Sequence, residues 1–282
     1  MSQSCSHNCE TCSANCDSRN TVPQKIAPHK VSRIGHVIGV LSGKGGVGKS
    51  LVTSLLACEM ARRGFKCGIL DGDITGPSIP KMFGINQRAM GDNMGIYPVS
   101  SEKGMQVMSL NLLLEDPTQP VIWRGALITG TVQQFWTDVV WDVDYLFIDM
   151  PPGTGDVTLT VFQSLPLDGI VMVSTPQQLV QLIVGKALKM AKTMNIPLLG
   201  LVENMSYLPC PQCATKVEVF GPSQAEKMKQ EFSIPTVVRL PIDPQVSALA
   251  DQGKIENYHL TQLSPLVQAL EELQVVNESV EK

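Results

Sequence analysis

The sequence lacks an excess of basic residues. Its 22 Lys and Arg residues are outnumbered by 26 Asp and Glu residues, which gives a formal net charge of -4 at pH 7. Proteins that bind nucleic acid through the phosphate backbone normally present a basic patch or stripe, and no such cluster occurs along this chain. We therefore expect no nucleic-acid partner.

The sequence also lacks long apolar runs. No apolar stretch reaches the roughly 18 residues of a membrane-spanning helix, and the N-terminal segment has no hydrophobic signal core. These absences predict a cytoplasmic protein with no membrane partner. Because thiols stay reduced in the cytoplasm, the eight cysteines indicate metal or redox chemistry instead of a disulfide framework.

The cysteines form three sets. Cys58 and Cys67 lie in a predicted helix and a predicted strand, where cysteine usually behaves as a small buried hydrophobe. Cys210 and Cys213 form CPQC in an irregular segment after a strand-like run, and one such pair supplies half the ligands of a tetrahedral thiolate site. The last set lies in a polar tail with the spacing C-x3-C-x2-C-x3-C and comprises Cys5, Cys9, Cys12 and Cys16. That tail is either a second metal or cluster site or a disordered, metal-scavenging arm.

The stretch LSGKGGVGKS has the spacing G-x-x-x-x-G-K-S between a predicted strand, HVIGVLS, and a predicted helix, LVTSLLACEMARRG. In such a loop, glycines let backbone N–H groups surround phosphate oxygens. Lys49 reaches the β and γ phosphates, and the Ser50 hydroxyl binds Mg2+. The nucleotide-binding residues that we assign to this loop are Gly43, Lys44, Gly45, Gly46, Val47, Gly48, Lys49, Ser50 and Leu51.

Alternating strands and helices indicate an α/β fold. Further strands are predicted in KCGILDGD, YLFIDMPPG, GIVMVST, LLGLVEN and TVVRLPID, and QQLVQLIVGKALKMAKTM is the clearest helix between them. This order predicts a mostly parallel sheet flanked by helices on both faces, with ligands at the carboxyl ends of the strands. Predicted strands and helices alternate less clearly in residues 86–119, and the stretch GIYPVSSEKGMQVMSL within this range suggests a hairpin. We assign residues 1–30 to a flexible tail and linker, and residues 31–282 to one P-loop NTPase domain.

Three acids are predicted at strand ends beside the glycine loop. Asp71 and Asp73 lie in DGDITGPS, and Asp149 lies in FIDMPPGTGD. An isolated acid of this kind more often caps a helix or a turn, but three at neighbouring strand ends favour nucleotide hydrolysis. We predict that Asp71 and Asp149 bind Mg2+ with Ser50, and that Asp73 positions or deprotonates the attacking water. Gly153 would let a backbone amide approach the γ phosphate, which predicts a switch loop.

The motifs GKGGVGKS, DGDITGPS, IDMPPGTGD, ENMS and CPQC together resemble the Mrp/ApbC group of iron-sulfur cluster carrier ATPases. This group belongs with the deviant Walker A proteins, which include MinD, ParA and the nitrogenase iron protein. The resemblance extends from about residue 31 to about residue 246. The loop with two lysines identifies only the wider class, whereas C-P-x-C after ENMS points to the cluster carriers. The resemblance implies an ATPase that uses ATP and Mg2+ and carries a 4Fe-4S cluster to apoproteins.

The resemblance also implies a homodimer. Lys44 would reach the nucleotide of the other subunit and act there with Lys49 and Asp73 in catalysis; a local phosphate contact is the alternative. Asn204 would hydrogen-bond adenine, and Pro241 belongs to the same nucleotide-binding set. The pairs in CPQC, Cys210 and Cys213, would meet at the two-fold axis and supply the four thiolates of one 4Fe-4S cluster. A structural zinc bound by the same thiolates is the alternative to the cluster.

Other functions of the wider class fit the sequence less well. A MinD-like membrane ATPase should end in a basic amphipathic helix, but LTQLSPLVQALEELQVVNESVEK is acidic at its close. A ParA-like DNA-positioning protein needs a basic surface. An electron-transfer reductase like the nitrogenase iron protein has single cysteines far apart in mid-chain, and none occurs between Cys67 and Cys210. The retained alternative is a MinD/ParA-like positioning ATPase with a structural zinc at CPQC.

Overall fold

The computed structural model of the protein describes residues 25–74, 78–114 and 125–273, so the four tail cysteines lie outside the described residues. The described strands are β1 (Arg33–Ser42), β2 (Cys67–Asp71), β3 (Met90–Asp92), β4 (Gly95–Tyr97), β5 (Val99–Ser100), β6 (Gln106–Met108), β7 (Asp142–Asp149), β8 (Gly169–Ser174), β9 (Leu198–Pro209), β10 (Lys216–Val217) and β11 (Val237–Pro241). The described helices are α1 (Lys49–Arg62), α2 (Ile79–Met82), α3 (Gly125–Thr137), α4 (Asp156–Ser164), α5 (Gln178–Thr193), α6 (Ala225–Phe232), α7 (Pro244–Asp251) and α8 (Ser264–Glu271).

One sheet organises the described part of the chain. Its strand order is β10-β9-β8-β1-β7-β2-β6-β5, and β11 also pairs with β9. The pairs of β1 with β7 and β8, of β2 with β6 and β7, and of β9 with β8 and β11 are parallel. The short strands β5 and β10 run antiparallel to their neighbours. The mostly parallel sheet predicted from the sequence is therefore confirmed.

Helices cover both faces of this sheet. Alternate residues of β1 enter two separate hydrophobic clusters: Ile38 and Val40 pack on one face, and Val37 and Leu41 pack on the other. Side chains of a strand point alternately to its two faces, so this division shows that both faces are covered. The first cluster includes residues of α1, α7 and α8, and the second includes residues of α3, α4 and α5. Among the described residues, we find no helix with the length and apolar character needed to cross a membrane.

The hairpin predicted between residues 86 and 119 is present. Strands β5 and β6 pair antiparallel, with Val99 opposite Val107, and β6 then adds to the main sheet beside β2. Strands β3 and β4 form a second, two-stranded antiparallel sheet. The β5–β6 hairpin extends one edge of the main sheet, and Ser109, directly after β6, hydrogen-bonds to Asp71 at the carboxyl end of β2.

Strand β9 is longer than the sequence indicates. The apolar run LLGLVEN predicts a strand that stops near residue 204, whereas β9 continues to Pro209. Its pairing with β8 ends at Glu203, but β10 and β11 supply further partners beyond that point. Because these partners follow later in the chain, the extension has no local sequence signal. Cys210 therefore comes directly after a strand that projects past the edge of the central sheet.

Residues 25–30, which the sequence assigns to the linker, contact the domain. The Lys25 ammonium donates to the carbonyl oxygens of Phe162 and Leu165, at 2.5 Å and 3.0 Å. The Trp136 indole donates to the carbonyl oxygen of Ile26 at 2.8 Å. These bonds fasten the segment before β1 across the C-terminal end of α4 and against α3.

Candidate functional site

The glycine loop between β1 and α1 is open on one side and packed on the other. Gly46 and Gly48 both have φ of 79°, in the left-handed region that glycine tolerates best. A Cβ added to Gly45 or Gly46 would meet no atom within 4 Å, whereas one added to Gly48 would meet the Asn204 amide at 2.3 Å. The loop therefore leaves space in front of its glycine backbone while its far side rests on the protein.

A cavity of about 330 Å3 lies in front of this loop. The predicted site residues that line the cavity are Gly45, Gly46, Gly48, Lys49, Ser50, Leu51 and Asp73. The sequence analysis missed four other lining residues, which are Ser42, Ser78, Met82 and Pro152. Gly43 and Val47 pack against the protein instead, since a Cβ on Gly43 would lie 3.1 Å from the Ile183 side chain and Val47 is 1% exposed.

Lys49 and Asp149 form a buried ion pair at the base of the cavity. The Lys49 ammonium lies 2.7 Å from Asp149 Oδ2, and the two residues are 6% and 0% exposed. The Ser50 hydroxyl donates to the same carboxylate at 2.5 Å, and the Thr53 hydroxyl donates to its other oxygen at 2.8 Å. Thr53 was not predicted, although it lies one helical turn after Ser50 and so shares its face of α1. The Asp149 carboxylate therefore has three partners, one ammonium and two hydroxyl groups.

Asp71 and Asp73 take different positions beyond β2. Asp73 lines the cavity, with its carboxylate 3.6 Å from the Lys49 ammonium. Asp71 is 1% exposed behind the cavity, where its carboxylate accepts bonds from the Ser109 hydroxyl and the Asp73 backbone N–H. Burial, together with the neighbouring charge of Asp149, raises the pKa of Asp71 to about 8. The structure therefore brings Asp73, and not Asp71, to the cavity surface.

The loop after β7 lies against the glycine loop. The Gly153 backbone N–H donates to the Ser42 carbonyl oxygen at 2.8 Å, and Gly153 has a left-handed φ of 87°. The Thr158 hydroxyl, in the first turn of α4, donates to the Gly153 carbonyl oxygen. Pro152 of the same loop lines the cavity. The role of the Gly153 loop as a nucleotide switch stays a prediction.

The second lysine of the loop points to a neighbour on its own chain. The Lys44 ammonium donates to Gln177 Oε1 at 2.8 Å, and Lys44 does not line the cavity. Gln177 immediately precedes α5 and is 133 residues away in the sequence, so no local pattern could have indicated it. The ammonium is held near the loop without facing the cavity of its own subunit, and its action in trans stays a prediction.

Asn204 supports the glycine loop from behind. Its side-chain amide donates to the Val47 carbonyl oxygen at 2.9 Å, and the residue is 5% exposed. Pro241 ends β11 opposite Tyr207 and is not among the cavity-lining residues. The predicted contacts of Asn204 and Pro241 with the nucleotide base remain untested by this geometry.

Cys210 and Cys213 lie in the turn that joins β9 to β10. The Cys210 N–H donates to the Thr215 carbonyl oxygen at 2.9 Å, which closes the turn. The Cys213 sulfur lies 3.2 Å from the Thr215 hydroxyl oxygen. A hydrogen bond donated by this hydroxyl to the thiolate form is the main cause that lowers the pKa of Cys213. Cys213 is exposed and Cys210 is half-buried. Thr215 was missed, because a hydroxyl two residues after CPxC is not a metal-ligand signal.

The turn provides only part of a metal site. Within the described ranges, no group of three or more His, Cys, Asp or Glu side chains could hold a metal ion. Cys58 and Cys67, by contrast, are buried in the core as predicted, and burial raises the pKa of Cys58 to about 12. The turn therefore presents one exposed and one half-buried cysteine, and a thiolate metal site there would require further ligands from elsewhere.

The fold, the loop and its acids make this chain a P-loop NTPase of the MinD/ParA class. The family described as "ParA: NUBPL iron-transfer P-loop NTPase" matches residues 33–276. The chain therefore belongs to the iron-transfer P-loop NTPases, and the family resemblance seen in its motifs is confirmed.

Individual relatives agree with this assignment. An iron-sulfur cluster carrier protein from Clostridium perfringens is 44% identical over 259 residues, which cover 89% of this chain and 90% of that protein. A nucleotide-binding protein from Archaeoglobus fulgidus, solved in complex with ADP, has a TM-score of 0.74 and 42% identity, covering 82% of this chain and 91% of that chain. The cell division ATPase MinD from Pyrococcus furiosus has a TM-score of 0.58 and 19% identity over 84% of this chain and 98% of that chain, which shows a shared fold alone.

Proposed function

We propose that this protein hydrolyses ATP and carries a 4Fe-4S cluster, held between two copies of the chain, for delivery to apoproteins. The observation that carries the proposal is the pair of cysteines, Cys213 exposed and Cys210 half-buried, in the β9–β10 turn of an iron-transfer P-loop NTPase. A protein that only binds and hydrolyses nucleotide has no need of such a pair. The name of the Clostridium perfringens relative, a cluster carrier, supports the same function.

The cavity in front of the glycine loop is suited to ATP with Mg2+. Lys49 would contact the β and γ phosphates, and the adjacent Ser50 hydroxyl and Asp149 carboxylate would hold the ion. The ion, when bound, neutralises charge on the phosphates during transfer. Asp73 lines the same cavity and would orient the attacking water and accept its proton. The close packing of these groups supports hydrolysis over binding alone.

A second copy of the chain would complete this site. Lys44 is partly exposed and is held by a single side-chain hydrogen bond to Gln177. An ammonium held in this way can exchange its partner for a phosphate oxygen on a neighbouring subunit. The added cation would stabilise charge that develops during phosphoryl transfer, as an arginine finger does.

The same dimer would complete the metal site. Two thiolates per chain supply half of the ligands that a 4Fe-4S cluster requires, and a two-fold axis through the turns would supply the other half. The lowered pKa of Cys213 favours the thiolate, which is the form that binds iron. Because Cys213 is exposed, the cluster would remain accessible to an acceptor. The cluster is thus treated as cargo and not as a resident cofactor.

Anaerobic reconstitution of a variant with Cys5, Cys9, Cys12 and Cys16 changed to Ser tests this proposal. We expect four iron atoms and four sulfides per two chains, measured chemically and by native mass spectrometry, with a visible absorption band that disappears on transfer to an apo-ferredoxin. Adding Cys213→Ser should remove the iron and sulfide, whereas adding Cys58→Ala at a buried thiol should not. Zinc without sulfide in the reconstituted protein would support the structural-zinc alternative and refute cluster carriage.

A further inference from the structure

Strand β9 connects the two candidate sites directly. Asn204 of this strand donates to Val47 in the glycine loop, and Cys210 follows the end of the same strand. The glycine loop and the cysteine turn are therefore separated by only a few residues of one continuous segment. Any shift of the loop that moves Asn204 can reach the cysteines along the backbone.

The segment between the two sites contains a bulge. Glu203 pairs with Arg239 of β11, but the next pair is Tyr207 with Pro241, so β9 has more residues than β11 over this interval. Met205 within it has a φ of 53°, a left-handed conformation that is uncommon for a bulky side chain. Such a residue persists only where its surroundings hold it in place, so the contacts around Met205 determine the path of the chain toward the cysteine turn.

Glu203 holds the bulge to the chain that returns from the cysteine turn. Its carboxylate is 2% exposed and accepts a hydrogen bond from the Ser206 hydroxyl on the other side of Met205. The Ser223 hydroxyl and the Gln224 backbone N–H donate to the same carboxylate at 2.6 Å and 3.0 Å. One buried anion thus joins the bulge to the segment that follows β10.

Arg239 adds a second connection around the same bulge. Its Nε donates to the Ser206 hydroxyl oxygen at 2.8 Å and lies 3.5 Å from Glu203 Oε2. Its Nη2 donates to Glu218 Oε1 at 2.9 Å, immediately after β10. Its guanidinium also lies over the Tyr207 ring, 5.8 Å from the centroid. Arg239 therefore contacts both arms of the cysteine turn.

We propose that Glu203 and Arg239 are positioning residues that transmit nucleotide occupancy of the glycine loop to the cysteine turn. Nucleotide bound in the loop fixes the Val47 carbonyl oxygen and, through it, Asn204. The bulge at Met205 is then held in one conformation, and the bonds of Glu203 and Arg239 hold both arms of the turn. The proposal rests on the proposed function for its meaning in cluster delivery, because it describes when the thiols are accessible.

Alkylation of the cluster-free protein measures this connection without iron. Cys210 is half-buried, so its reaction with iodoacetamide reports opening of the turn, whereas Cys213 is exposed in either case. We expect a non-hydrolysable ATP analogue with Mg2+ to slow alkylation of Cys210 by about fivefold or more, the lower end of usual coupling between two sites. Mass spectrometry of digested samples separates the two cysteines. An unchanged rate for Cys210 in the wild-type protein overturns the proposal.

Arg239→Gln tests the proposed route. This variant should bind the analogue with wild-type affinity, but alkylation of its Cys210 should become independent of the analogue. Arg63→Gln is the matched control, because it removes another partly exposed ion pair, with Glu271, far from the bulge. If circular dichroism shows that Arg239→Gln is unfolded, Glu218→Gln removes only the outer bond and should reduce the dependence on the analogue. The proposal is overturned if Cys210 alkylation depends on the analogue as strongly as in the wild type in every folded variant of Arg239 and Glu218.

The two proposals fail in distinguishable ways. The ratio of Cys210 alkylation rates without and with the ATP analogue involves no iron. A protein that binds zinc or no metal can therefore still show nucleotide-dependent access to this thiol. Conversely, loss of the ratio in the wild-type protein leaves the iron and sulfide content of reconstituted dimers unaffected. The two measurements therefore separate coupling between the sites from the identity of the cargo.

Discussion

The nucleotide end and the cysteine end of this molecule are built in opposite ways. At the nucleotide end, Lys49 and Asp149 are almost completely buried, and Lys49, Ser50 and Thr53 all contact the Asp149 carboxylate within the same chain. At the cysteine end, Cys213 is exposed in a turn closed by a two-residue strand, and the ligand set is incomplete. One fold therefore combines a buried, densely bonded nucleotide end with an exposed cysteine end that has few contacts.

The difference follows from what each proposed task requires. Phosphoryl transfer is accelerated by charges that are held in place before the reaction, which favours burial and dense hydrogen bonding. Transfer of a cluster requires that another protein reach the same sulfur atoms, which favours exposure and few contacts. Single substitutions can alter each side of this contrast separately.

The largest effect is expected from Lys49→Ala. The variant should lose measurable ATP binding in calorimetry, because it lacks the cation that we propose to contact the phosphates. It should also lose about 3–5 kcal/mol of unfolding free energy, since Asp149 is left as a buried charge without its partner. Adding Asp149→Asn should recover much of the stability in urea melts but none of the binding. Equal stability of the single and double variants would contradict the buried-pair interpretation.

Asp73→Asn should separate binding from turnover. The side chain lines the cavity, and Asn has nearly the same size and shape, so ATP affinity should stay near the wild-type value. The hydrolysis rate should fall about 10²–10⁴-fold, the usual contribution of a general acid or base. A phosphate-release assay with saturating ATP measures the rate, and fluorescent nucleotide titration provides the binding control. Wild-type turnover would show that Asp73 does not handle the water or its proton.

Lys44→Ala tests whether the nucleotide end is completed by a second copy. Alone, the variant should bind ATP and hydrolyse it slowly. Mixed equally with Asp73→Asn, it should regain about a quarter of wild-type activity, because half of the randomly paired dimers are mixed and each mixed dimer has one intact site. Subunit exchange is verified by native mass spectrometry of isotope-labelled chains. No gain after verified exchange would mean that Lys44 acts within its own subunit.

Asp71→Asn should change the pH dependence of stability. The pKa of Asp71 is raised from 3.8 to about 8 in the folded protein, so its stabilising contribution is complete below about pH 4 and is lost as pH rises through about 8. Asn stays neutral at every pH. As pH rises through this window, the unfolding free energy of the variant should therefore increase relative to that of the wild type by at most about 1.4 kcal/mol per pH unit. Thermal melts from pH 5 to pH 9 measure the gap, and a constant gap would contradict the shift. The Mg2+ requirement of hydrolysis by the same variant tests the assignment of Asp71 as a ligand.

The sequence predicts the nucleotide end well because its signals are local. The glycine spacing, the strand before it and the helix after it all lie within about thirty residues, and together they indicate where Lys49 and Ser50 lie. The apolar strands also predict the sheet, and parallel order then brings Asp73 and Asp149 to the same edge. Thr53 was within reach of the same reasoning, since helical spacing aligns it with Ser50.

The parts that sequence reasoning missed depend on distant partners. Gln177 meets Lys44 across 133 residues, and Arg239 meets Ser206 across 33. Strand β9 continues beyond Asn204 because β11, which comes later in the sequence, pairs with it through a bulge. Asp71 and Asp73 look equivalent in DGDITGPS, yet only the three-dimensional packing of Ser109 shows that the first is enclosed. Periodicity carries no information about such pairings.

The hydrogen bonds that Lys25 and Ile26 make with the domain determine where this protein can be shortened. The carbonyl groups at the end of α4 carry partial negative charge, which the Lys25 ammonium offsets, and α4 begins three residues after Gly153. A truncated version for crystallisation or kinetics that starts at residue 31 would leave those carbonyl groups without this cap. A version that retains residue 25 keeps it. An affinity tag placed directly before residue 25 could weaken the Lys25 bonds to the helix that follows the Gly153 loop, so hydrolysis should be compared before and after tag removal.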